Sequence, residues 1–167
     1  MDSYSILFLI FAAIVLLGGF FMMKNGRFAA PPATNDKNRE IIVPLRLQAY
    51  ERLCLYLERI SPENLILRIA GQCDTALELQ QRALSEIREE FNHNLAQQIY
   101  ISPNTWEAVK MARDEVIALI NQSAVAGKPD DSALTLGKRI MEAHAQADPS
   151  ITAPVIYTLK KEIQSLF

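Results

Sequence analysis

Residues 74–99 read DTALELQQRALSEIREEFNHNLAQQI. Leu77, Leu84, Ile87, Phe91, Leu95 and Ile99 recur there at spacings of seven, three, four, four and four, the period of one face of an α-helix. Asp74 stands where a side-chain oxygen caps the first turn. Glu78 lies four residues before Arg82, and Glu86 and Glu89 fall off the stripe, as on a solvated outer face. No part of the chain shows sustained apolar–polar alternation with β-branched enrichment, so this helix has other helices for neighbours. The expected fold class is all-α.

Working outward, Ser61-Pro62-Glu63 and Ser102-Pro103 each read as a helix start, with Ser as cap and Pro in the first turn. Before Ser61, the stripe Leu45, Ala49, Leu53, Leu57 and Ile60 predicts an amphipathic helix with Pro44 in its first turn. A short apolar helix over Leu65–Ile69 follows and ends near Gly71. After Pro103 the apolar set is Trp106, Val109, Ala112, Val116, Leu119 and Ile120, and Gly127 closes it. Asp131 or Ser132 opens the next helix, bearing Leu134, Leu136, Ile140 and Met141. Asp148-Pro149 breaks that helix, and Pro154 begins a last one with Val155, Ile156, Leu159, Ile163 and Leu166. Six helices with short connections predict an antiparallel multi-helix bundle over residues 41–167.

The N-terminus has a different texture. Residues 4–23, YSILFLIFAAIVLLGGFFMM, contain no charge. At the helical rise they reach about 30 Å, the thickness of a bilayer core. The run is too long for a signal-peptide core and lacks a basic start. Cuts after Ala29 or Ala30 would put Arg27 or Phe28 at the −3 position. Residues 1–23 are therefore expected to be an uncleaved transmembrane anchor. Lys24, Arg27, Lys37 and Arg39 follow it, which predicts an outside N-terminus and a cytoplasmic C-terminal domain at the inner membrane. Residues 24–40, KNGRFAAPPATNDKNRE, are expected to be a flexible tether.

Seventeen Lys and Arg are mixed with nineteen Asp and Glu, for a net charge of −2. Without a basic block, nucleic acid is not an expected partner. Cys54 and Cys73 lie in helical apolar patterns, as reduced thiols do. The phosphate-cradling and nucleophile-elbow motifs are missing. Glu90-x-x-His93 has the spacing of half a di-iron site, but the other histidine, His144, has Met141 three residues before it. No catalytic, cofactor or metal residue is expected, nor a small-molecule substrate, and the chain is not expected to be an enzyme.

One stretch stands out. Asn92, His93, Asn94, Gln97 and Gln98 crowd uncharged polar side chains onto the end of an otherwise charged helix. They read either as a polar seam inside the bundle or, with Tyr100 and Trp106 as anchors, as a partner-binding face. The stretches ERLCLYLERISPENLILRI (51–69) and EFNHNLAQQIYIS (90–102), with Trp106, resemble an uncharacterised family of short single-pass membrane proteins of Bacteroidetes. The resemblance implies a bacterial inner-membrane protein with a helical cytoplasmic domain, and implies no catalytic or ligand residues. The functional expectation is a membrane-anchored interaction module. Residues 4–23 would meet the bilayer, and the bundle would meet a protein partner or a second copy. Alternatives are an accessory subunit that binds through its transmembrane helix, and an enzyme or ligand carrier with a site of no known motif.

Overall fold

Six α-helices account for most of the described residues, 36–146 and 151–165, of this computed structural model. They are α1 (Asp36–Ile60), α2 (Pro62–Ile69), α3 (Ala76–Asn94), α4 (Pro103–Val125), α5 (Ala133–Gln146) and α6 (Ala153–Gln164). Tighter 3₁₀ turns follow α2 at Ala70–Gln72 and α3 at Leu95–Ile99. The chain divides after Glu40 into two units, and every contact below lies in the second, Ile41–Phe167. Among the described residues there is no strand, only an isolated antiparallel bridge between Thr75 and Ser132. The expected anchor (4–23), residues 24–35 of the expected tether, Asp148-Pro149 and Leu166 lie outside the described residues. Among the described residues no helix is long and apolar enough to cross a membrane.

The helices form a bundle around one core. Phe91 near the end of α3 stacks on Trp106 near the start of α4, and Gln80 at the start of α3 donates to Asn121 Oδ1 near the end of α4 at 2.9 Å. These two helices are antiparallel. The starts of α3 and α5 lie together, where Ala76 N–H donates to the Asp131 carbonyl and Ala133 N–H to the Asp74 carbonyl. Those bonds satisfy N–H groups that a helix cannot satisfy for itself. The core runs through Leu53, Leu57, Ile60, Leu79, Ile87, Val109, Val116, Ile120, Leu136, Ile140 and Leu159, all fully buried.

The stripes of α1 and α4 are largely as the spacing predicts: Ala49, Leu53, Leu57 and Ile60 are buried, as are Trp106, Val109, Ala112, Val116 and Ile120. Leu45 is exposed instead. Pro44 is not in the first turn but inside α1, which begins at Asp36, so residues 36–40 are helical rather than tether. Pro44 cannot donate to the carbonyl of residue 40, and both positions are exposed, where a missing helix bond costs least.

The α3 stripe is corrected most. Its buried apolar face is Ala76, Leu79, Ala83 and Ile87, while Leu77, Leu95 and Ile99 are exposed. The two alanines let α4 and α5 pack closely on that side, and a reading by side-chain size passes over them. The cap is Thr75, not Asp74: Thr75 Oγ1 accepts from Glu78 N–H at 3.2 Å and Glu78 Oε2 accepts from Thr75 N–H at 3.4 Å. Such a reciprocal box satisfies two free N–H groups at once. The α-helix also stops early, at Asn94, whose side chain turns back to donate to the Glu90 carbonyl at 2.8 Å. Short amides that bond the helix backbone this way compete with its continuation. Ser61 precedes α2 as expected, yet its hydroxyl donates backward to the Glu58 carbonyl and caps nothing.

Candidate functional site

The polar stretch after Glu90 does not gather on one face. Asn94 and Gln97 turn into the bundle, Asn92, His93 and Gln98 face solvent, and Tyr100 is half-buried. Trp106 is buried against Phe91, ring centroids 5.5 Å apart and nearly parallel. Phe91 in turn tilts against Tyr56 at 6.1 Å, and the Arg113 guanidinium covers its ring at 4.2 Å. Glu90 is held by Arg59 at 2.5 Å and does not converge with the exposed His93.

A polar cluster that the sequence reading did not single out ties three helices together. The Glu162 carboxylate on α6 accepts from the Tyr50 hydroxyl at 2.7 Å, from Ser102 N–H at 2.8 Å, from the Ser102 hydroxyl at 3.1 Å and from the Thr105 hydroxyl. Arg46 backs Tyr50 at 3.3 Å and donates to the Tyr100 carbonyl at 3.0 Å. Burial pushes the Glu162 carboxyl up, but the bonds from Thr105, Tyr50 and Ser102 outweigh it and hold its pKa below the ordinary value. Burial and the bond to Glu162 push the Tyr50 hydroxyl up. An ionised carboxylate at the start of α4 also meets the positive helix end. With its lone pairs taken by four donors, Glu162 is a fastening and is not poised to accept a proton from a substrate.

Cys54 and Cys73 are both free and half-buried, and burial pushes the Cys54 thiol up, away from the reactive thiolate. Among the described residues no three His, Cys, Asp or Glu side chains gather as metal ligands do. His144 is buried near the end of α5, its Nε2 2.8 Å from a carboxylate oxygen of Glu63 on α2.

A largely apolar opening lies between α2 and α5, a cavity of about 340 Å³ lined by Ile66, Leu67, Ala70, Leu134, Gly137 and Met141, together with Lys138 and Glu142. The two helices run antiparallel, as Glu63–His144 at one end and Leu67–Leu134 at the other require. Gly137 forms the floor, since a Cβ there would lie 3.2 Å from Ile66 Cγ2. A mid-helix glycine costs roughly 1 kcal/mol against alanine, and here it lets α2 lie close. Above the floor Leu67 is 81% exposed and Leu134 63%. Exposed apolar side chains around a hollow are a feature of interaction sites. The signal in the sequence was an excess: Leu65, Ile66, Leu67 and Ile69 are more apolar side chains than one face of a two-turn helix can bury.

A model of a family of unknown function, DUF7935, matches residues 2–166. The chain belongs to DUF7935. It matches no curated protein and no solved structure. In this DUF7935 chain, the stretch 51–69 supplies α2, and with it Leu67 and one wall of the groove.

Proposed function

We propose that the chain is a non-catalytic protein-interaction module of a single-pass inner-membrane protein of Bacteroidetes type. Residues 4–23 anchor it with the N-terminus outside, and residues 41–167 present a docking face in the cytoplasm. The observation that carries the docking reading is the open apolar groove between α2 and α5, with Leu67 and Leu134 standing free beside it. The uncharged run 4–23 and the cations that follow it support the anchor. Confinement to one surface raises a module's effective concentration toward partners held there. The groove, rather than Tyr100 and Trp106, takes the docking role, because Trp106 is already stacked in the core.

The test is site-specific photocrosslinking of the full-length protein in cells. A photoreactive residue at position 67 should give a discrete protein adduct that Leu134→Asp removes. The same residue at Glu115, on the exposed side of α4, should give none. Equal labelling from both positions, or none from either, would defeat the reading. Replacing residues 1–23 by an unrelated transmembrane segment should leave the adduct in place; its loss would favour an accessory subunit that binds through its span.

A further inference from the structure

The α5 sequence ALTLGKRIMEAHAQ puts Leu134, Lys138 and Met141 along one line at spacings of four and three, with Glu142 beside them. All four line the groove. Among the described residues neither Lys138 nor Glu142 takes part in an ion pair. They are one helical turn apart and of opposite sign. A two-fold contact between identical surfaces sets residue i of one copy against j of the other, and j against i. When α5 lies antiparallel on α5 of another copy, with the axis midway between positions 138 and 142, each Lys138 faces the other copy's Glu142. A face that carries both signs on either side of the axis is its own electrostatic complement.

We propose that the α2–α5 face binds the same face of a second copy of this chain. This rests on the interaction-module reading and names its partner. The pairing covers Leu134 and Met141 along α5, brings Leu67 into the shared contact and satisfies two charge pairs by symmetry. The groove is small beside the roughly 800 Å² that each partner of a stable complex buries. Two copies therefore pair weakly when free in solution and pair well when held on one surface, where the effective concentration is high.

The experiment uses full-length copies carrying two different tags, co-expressed in cells, with the photoreactive residue at position 134. The expected product is a crosslinked species of twice the chain mass that carries both tags. K138E alone and E142K alone should each abolish it, because like charges then meet at both pairs. Co-expressing K138E with E142K should restore it between the two chains, and so should the double exchange K138E/E142K on one chain. Both positions are exposed, so circular dichroism and melting of the variants should match the parent protein. A dimer that persists in either single variant, or that fails to return in the mixture, overturns the proposal. An adduct of a different mass that responds to the same variants also overturns it, and leaves the interaction-module reading standing.

Discussion

Beneath α6 and along α5 the same bundle finishes its surface in opposite ways. Under α6, Glu162 gathers Tyr50 from α1 and Ser102 and Thr105 from α4, and its carboxylate is fully engaged within the chain. Along α5, Leu134 and Leu67 stand open beside a cavity whose floor is Gly137. A polar group removed from water must be partnered or it costs free energy, so the first region is closed by the fold itself. An apolar side chain left in water forgoes free energy that a partner's surface would supply. The contrast separates the contacts that hold this molecule together from the face proposed for a partner.

Four changes probe that contrast, from the largest effect to the smallest. Leu79 is fully buried and approaches Gly137 beneath the groove. Leu79→Ala should cost about 2–5 kcal/mol in urea unfolding; a cost below about 1 kcal/mol would mean that the groove floor is not core. Glu162→Ala strands the donors of Tyr50, Ser102 and Thr105 and should cost about 1–3 kcal/mol, read as a lower Tm. An unchanged Tm would show that water serves those donors as well as the carboxylate does.

The third change is in pH. Because the folded Glu162 pKa is lowered, its contribution to stability is complete above its unfolded pKa of about 4.3. That contribution is lost as pH falls through the folded value. Between about pH 5 and 3 the parent protein should therefore lose more stability than Glu162→Gln, measured by urea midpoints across that range. Parallel curves would remove Glu162 from the acid response. The smallest effect on stability belongs to Leu134→Asp, within about 0.5 kcal/mol because the side chain is already in water. The same variant should abolish crosslinking at position 67. Loss of helix in its circular dichroism spectrum would place Leu134 with the core and collapse the contrast.

Much of the architecture was legible along the chain. The serine–proline starts at 61 and 102 and the stripes of α1 and α4 correspond to observed elements. The buried face of α3 was less so, because Ala76 and Ala83 carry little hydrophobic weight yet decide which side the neighbours approach. The seven polar and aromatic residues from Asn92 to Trp106 looked contiguous on paper. A 3₁₀ turn over Leu95–Ile99 sends some inward and some outward. Leu67 and Leu134 were visible as apolar letters, but only the antiparallel packing of α2 on α5 shows that they share an open groove.

The starts of α3 and α4 show where local determination ends. Thr75 and Glu78 cap α3 from within one turn, so four consecutive residues suffice to specify that cap. Ser102 begins α4 in the same way, but Thr105 occupies the position of the box's glutamate, and the carboxylate that accepts from Ser102 N–H is Glu162 of α6. The capping box of α3, the stripes of α1 and α4 and the all-α class follow from hydrogen bonds and periodicities that span a few residues, and the sequence by itself determined them. The carboxylate that completes α4, and the groove left open between α2 and α5, depend on which distant segments meet, and only the tertiary structure decided those.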